Sequence, residues 1–334
     1  MSYKSILASL FVAAGVAATP AIAQDITLRM TTAAPEKTIW QKQFDQFAAD
    51  VAEETEGRVA IEIFYNSQLG PENTALPQVM RGRIDMGAFS TAGLADQLRD
   101  AYLVSMLFYF DDHESRSCML DTVREDYREL IAPTGLRLVD WTEVGSFQIS
   151  GKQAFTTPDT IDGLRLGGAA NPITNLFWER MGAFPNLVAV TEAASSISTG
   201  LIDVYPTIPV FYIFAGISQV APVLTKVDIG IPPGVIVIND AVWEGLSDEN
   251  KAGIERALAR HPAAERSAQF YAFEDQLYQL HQSKGGTVAV ATAEEKAMWR
   301  EGIDEYYAQV LEESSPEGLK FWAALEAAKA SCTK

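Results

Sequence analysis

Residues 26–64, ITLRMTTAAPEKTIWQKQFDQFAADVAEETEGRVAIEIF, decide the fold. Ile26, Leu28 and Met30 alternate with polar residues, the period of a half-buried strand. Trp40, Phe44, Phe47 and Val51 then recur at spacings of 4, 3 and 4, one face of a helix that Gly57 closes. Val59, Ile61 and Ile63 alternate again. Outward from this unit the rhythm continues with a loop at Asn66–Pro71, a helix over Thr74–Arg81 and a short strand over Ile84–Phe89. A second set begins after Gly145, with strand Phe147–Ser150, a turn at Thr156–Asp159, strand Leu164–Leu166 and helix Pro172–Met181. Val235–Ile238 is a further strand, and the last third is helical, with Phe270, Phe273, Leu277 and Leu280 as one stripe, a helix over Met298–Leu311 and another over Phe321–Ala328. Strand–helix–strand repetition predicts the α/β class with mostly parallel sheets. Two lobes follow: residues 24–146 with about 233–270, and about 147–232 with about 271–334, the latter including spanning helices. Ligands of such sheets bind at the carboxyl ends of strands, here in a cleft between lobes.

The chain has 334 residues, 48% apolar and 21% charged, with formal charge −18. That charge excludes a phosphate-binding surface and makes nucleic acid an unsuitable partner. Lys4, the apolar run Ile6–Ala18 and Ala21-Ile22-Ala23 before Gln24 have the form of a secretory signal over residues 1–23, cleaved near Ala23. The apolar run is shorter than the ~20 residues of a spanning helix. Export to an oxidising compartment permits a Cys118–Cys332 disulfide, two idle thiols being the other possibility.

Catalytic and metal constellations are missing. There is no H-E-x-x-H, no G-x-S-x-G and no phosphate loop, so no catalytic residue, cofactor or metal ligand is assigned. His113, in the acidic turn Asp111–Glu114, and His261 and His281 in the helical third are expected to be surface residues. A glycosidase-type carboxylate pair is the remaining enzymatic alternative, set by spatial separation alone.

Several stretches together resemble the extracytoplasmic solute-binding subunit of tripartite ATP-independent periplasmic (TRAP) transporters, the DctP type. Phe64-Tyr65-Asn66-Ser67-Gln68-Leu69-Gly70-Pro71-Glu72 is similar to that family's Pro-Asn-x-Gln-Leu-Gly-x-Glu loop, and Val79–Met86 to the helix and strand after it. Thr157-Pro158-Asp159 with Gly163-Leu164-Arg165, Met181-Gly182-Ala183, Thr199-Gly200-Leu201-Ile202-Asp203 and Val237-Ile238-Asn239 with Trp243 and Leu246–Glu249 continue the likeness in order, from about residue 26 to about residue 260. The resemblance implies a two-lobe periplasmic binding protein of the class II-like kind with long C-terminal helices. It further implies a monomeric, non-enzymatic receptor that closes over one small organic solute and hands it to membrane permease subunits.

At the ligand positions the chain departs from the family pattern. The arginine that clamps a solute carboxylate, two residues past the basic residue of Gly-Leu-Lys, is replaced by Gly167; a second basic position is Phe147, the site asparagine is Thr207, and the aromatic before Glu192 is Val190. Arg165, two residues from Gly167, is a candidate replacement anchor. The other route is a changed solute: Trp141, Phe147, Tyr205, Phe211 and Tyr212 supply rings and Glu143 a carboxylate, a set suited to an amine, a quaternary ammonium or an aromatic solute.

Overall fold

The computed structural model describes residues 26–168 and 171–332. The signal segment and its cleavage site therefore lie outside the described residues. Eleven strands form two sheets. The first contains β1 (Ile26–Thr32), β2 (Val59–Phe64), β3 (Met86–Ser90), β4 (Leu136–Glu143) and β10 (Pro233–Asn239), in the order β2-β1-β3-β10-β4. The second contains β5 (Phe147–Gly151), β6 (Arg165–Gly168), β7 (Phe184–Leu187), β8 (Val204–Thr207), β9 (Val223–Gly230) and β11 (Thr287–Val290), in the order β11-β9-β5-β8-β6-β7.

Helices α1 (Ile39–Glu54), α2 (Glu72–Met80), α3 (Thr91–Ala95), α4 (His113–Thr122) and α5 (Arg124–Ile131) surround the first sheet. The second carries α6 (Pro172–Arg180), α7 (Ala193–Thr199) and α8 (Pro209–Phe214). Six helices follow: α9 (Asp240–Glu244), α10 (Asp248–Ala259), α11 (Ala263–Ser283), α12 (Ala293–Trp299), α13 (Ile303–Glu312) and α14 (Pro316–Cys332).

The decisive stretch folds as read: β1 pairs in parallel with β2, and Trp40, Phe44, Phe47 and Val51 of α1 are buried between them and α10. β3 joins β1 in parallel, but β10 runs antiparallel to both β3 and β4. The second sheet is likewise mixed, β5 being antiparallel to β8 and β9. These antiparallel members arise because the chain crosses between sheets twice in opposite directions, β4 to β5 and β9 to β10.

Two further readings are corrected. The helix expected over Met298–Leu311 is two helices, broken where Gly302 takes φ 71°. The buried stripe of α11 is Ser267, Phe270, Glu274, Leu277, Tyr278 and His281, and Leu280 is exposed. The polar members can be buried because each of Glu274 and His281 has a partner waiting: Ser146 N for one, Tyr212 OH and Pro222 O for the other. The α14 helix, expected in the sequence among the second lobe and its spanning helices, packs on α4 and α5. Cys118 of α4 and Cys332 of α14 form a disulfide across a separation of 214 residues.

The crossovers place the site. In the first sheet Glu143 pairs with Pro233; in the second, Phe147 pairs with Gly230. Between these rungs the two strands run as an unpaired ribbon, residues 144–146 on one side and 231–232 on the other. The α11 helix lies along it, touching β4 in one lobe and β11 and α8 in the other.

Candidate functional site

Strands β1, β3, β6 and β8 end at Thr32, Ser90, Gly168 and Thr207, and a helix or tight turn follows each. In two α/β lobes, carboxyl ends such as these are where a ligand cleft is expected. The lobes touch in this structure. Trp40 of α1 lies 5.6 Å from Phe211 of α8 and 5.3 Å from Phe270 of α11, and its indole N–H donates to Glu143 O at 2.7 Å. On the other flank Phe108 and Phe177 are 5.8 Å apart. Phe147 is half-buried between the two largest core clusters.

The position of the expected arginine clamp is closed. A Cβ on Gly167 would lie 2.4 Å from Ile202 Cδ1 and 2.9 Å from Tyr205 Cδ2. Tyr205 thus fills the volume that a side chain at 167 would need, and its hydroxyl donates to Val188 O at 3.3 Å. Burial raises its phenol above the ordinary tyrosine range. Thr207, paired with Gln148 across β5 and β8, is buried at the end of its strand.

Arg165 stands at the opposite, amino end of β6. Its guanidinium makes two hydrogen bonds to Asp203, at 2.9 and 2.8 Å, and half of its side chain is exposed. Strand alternation puts Arg165 on the face of Gly167, with its guanidinium paired to Asp203.

Glu143 is committed too. Arg116, fully buried on α4, gives it an ion pair through Nη2, and Tyr271 OH donates to it at 3.0 Å. Burial alone would raise the Glu143 carboxyl, but the charge and hydrogen bonds of Arg116 hold it below the usual range. Trp141 is a core residue, its ring 4.8 Å from Tyr127 and its N–H donating to Leu120 O at 3.0 Å. It also lines a groove of about 230 Å³ between α1, β4, α10 and the start of α11. Tyr212 is buried and donates to Ala221 O at 2.6 Å. Of the residues expected at the site, Phe147 and Phe211 are half-buried and Tyr205 and Thr207 are buried, while Arg165, Glu143 and Trp141 already have protein partners. Two of the three histidines differ from expectation as well, while His261 is partly exposed beside Asp50. His113 stacks on Tyr271 with ring centroids 3.2 Å apart, and His281 is buried.

Four cleft residues escaped the sequence reading. Asn171 follows the carboxyl end of β6 and caps α6 through Oδ1, which accepts from Ile173 N at 2.9 Å; its Nδ2 is buried without a partner. The Asn-Pro pair at 171–172 is a helix-start signal that was available. Thr31, near the end of β1, has a buried hydroxyl that is likewise unpartnered. On β3, Ser90 caps α3 and donates to Glu72, whose carboxyl burial raises despite the Ser90 bonds. Buried polar atoms without partners cost about 1–3 kcal/mol each, and the Asn171 amide and the Thr31 hydroxyl are two of the eight such atoms among the described residues. Among the described residues no cluster of His, Cys, Asp and Glu could hold a metal.

Residues 30–314 match the family model described as bacterial extracellular solute-binding protein, family 7, DctP. The C4-dicarboxylate-binding periplasmic protein DctP of Rhodobacter capsulatus is 24% identical over 319 residues, 93% of each chain. The ectoine-binding periplasmic protein TeaA of Halomonas elongata is 23% identical over 254 residues, 70% of this chain and 72% of that one. Among solved structures, a TRAP periplasmic solute-binding protein from Chromohalobacter salexigens with bound D-glucuronate superposes with a TM-score of 0.83 at 24% identity, covering 90% of this chain and 99% of that one. One from Roseobacter denitrificans with bound β-D-glucuronate gives 0.83 at 22% identity, with the same coverage. At these identities the solved structures show the fold.

Proposed function

The chain belongs to the bacterial extracellular solute-binding protein family 7, and from that premise we propose that it is the periplasmic receptor of a TRAP transporter, capturing a small organic acid of the sugar-acid kind for a membrane permease. Two lobes with facing strand ends, two crossovers and a spanning helix are the apparatus such capture requires. The acid class is supported by the relatives, whose solved complexes hold glucuronate and galacturonate. The residues argue for how it is held. No side chain at 167 can clamp the carboxylate, so neutral donors take its place, and the observation that carries this is the unpartnered Asn171 amide at the end of β6. Neutral hydrogen bonds contribute about 0.5–1.5 kcal/mol each. A polyhydroxylated acid, offering many of them, suits this cleft better than a compact dicarboxylate that depends on charge. The receptor acts as a monomer, without catalysis or cofactor, outside the cytoplasmic membrane.

Thermal unfolding of the chain lacking residues 1–23 tests this. D-glucuronate, D-galacturonate, succinate, ectoine and a set of amines are each added in excess; a ligand at 100 times its Kd adds ~2.7 kcal/mol. Stabilisation by the sugar acids is expected. Stabilisation by the amines alone would overturn the acid reading and show that the rings at Phe147, Tyr205 and Phe211 define a different solute.

A further inference from the structure

The unpaired ribbon between the lobes leaves backbone groups without ladder partners, and two side chains supply them. Arg116 Nη1 donates to Ile231 O of the second crossover at 2.9 Å, while Nη2 holds the Glu143 carboxylate at the start of the first. Ser146 N, at the far end of the first crossover, donates to the Glu274 carboxylate at 3.1 Å. The residue between, Gly145, takes φ 120°, and a Cβ there would lie 2.3 Å from Glu274 Oε1. Tyr271, one turn before Glu274 on α11, bonds Glu143 and stacks on His113 of α4. One guanidinium on α4 therefore bridges both strands where they leave their sheets, and one carboxyl group on α11 holds the first of them.

A hinge moves by changing backbone dihedrals over a few residues. With Glu143 and Ile231 tied to one planar arginine, the two crossovers cannot rotate independently at the first lobe. Arg116 is sealed from solvent, and the bonds it makes to crossover backbone and side chain run across the ribbon, not along one strand. We infer that Arg116 is a positioning residue of the receptor, which joins the two crossovers into a single hinge while Glu274 anchors the first of them to α11, and that the pair so sets the angle between lobes and, through it, the affinity for a solute they do not touch. The inference rests on the receptor reading above and adds how closure is governed. A ligand shifts such an equilibrium only by its differential fit to the two states, so a hinge that no longer holds the closing angle lowers apparent affinity by the fraction of competent molecules it loses.

The experiment is an interlobe distance measurement. Spin labels are attached at Glu62→Cys on β2 and Glu179→Cys on α6, both exposed, with the native disulfide kept, and distance distributions are recorded by pulsed electron paramagnetic resonance without solute and with D-glucuronate. Arg116→Lys, which cannot bridge two strands in a plane, is expected to broaden the solute-free distribution and weaken D-glucuronate binding about tenfold. Glu274→Gln, which keeps an acceptor for Ser146 N, is expected to retain the wild-type distribution, and Glu274→Ala to broaden it. A folded Arg116→Lys with the wild-type distribution, whatever its urea midpoint, overturns the inference. Should that variant not fold, Tyr271→Phe, which removes one bond to Glu143 and keeps the ring on His113, decides by the same readout. Absence of D-glucuronate binding in the wild type would refute the solute assignment, while the solute-free distances still judge the hinge.

Discussion

Replacing Glu274 by glutamine should change how stability depends on pH. The carboxyl is buried on α11, and burial is the main reason its pKa is pushed up to about 8 from 4.5; Glu143 adds to the rise, while the Ser146 bonds and Lys226 oppose it. Tyr271 and Tyr278 face it from its own helix. Between pH 4.5 and about 8 the folded chain holds a proton that the unfolded chain has released. Stability then falls as pH rises. The contribution is fully present below 4.5 and lost as pH climbs through the folded value. At ~1.4 kcal/mol per unit, the loss across the window is at most about 5 kcal/mol. Glu274→Gln is isosteric, still accepts from Ser146 N and does not titrate. Urea unfolding of wild type and variant from pH 5 to 8.5 isolates this group, because all other titrations are common to both. The wild type should lose several kcal/mol relative to the variant across that range. Parallel stability curves would refute the reasoning, showing that the carboxyl is solvated or ionised in the folded protein.

Reduction of the Cys118–Cys332 disulfide, or the double alanine variant, should cost roughly 5 kcal/mol in the chain-entropy account for a loop of this size, and lower Tm by roughly 5–8 °C in calorimetry. Asn171→Asp keeps the oxygen that caps α6 but replaces the free amide by an acceptor, so sugar-acid binding, measured calorimetrically, should fall more than tenfold while Tm changes little. An unchanged Kd would remove Asn171 from the site. Gly167→Ala should destabilise by about 1–3 kcal/mol in urea, since the added methyl meets Ile202 and the Tyr205 ring.

Periodicity made the lobes legible because the first half of the chain buries its elements conventionally: apolar spacing in α1 and alternation in β1 and β2 were sufficient. It failed on α11, where Glu274 and His281 occupy the buried face and Leu280 does not. Burial there is decided by distant partners, Ser146 in the first crossover and Pro222 before β9, which no local pattern reveals. The site was half readable. The loss of a clamp at Gly167 was visible as a residue type, but that Tyr205 closes the same volume is a fact of packing. Arg165 looked available because a strand alternates; the Asp203 that occupies it lies 38 residues on. Arg116 gave no signal at all, since a lone arginine in an acidic, polar helix reads as solvated.

The disulfide also places a constraint on the order of events as the chain is made. A polypeptide threaded through a membrane from its amino end presents Cys118 to the oxidising side while 214 residues, the whole second lobe among them, have yet to follow. During that interval the thiol has no native partner, and the helix that bears it, two positions from Arg116, cannot be locked to α14. For the exported receptor proposed above, the covalent seal would record completed translocation, closing only on molecules whose hinge and both sheets have already been delivered.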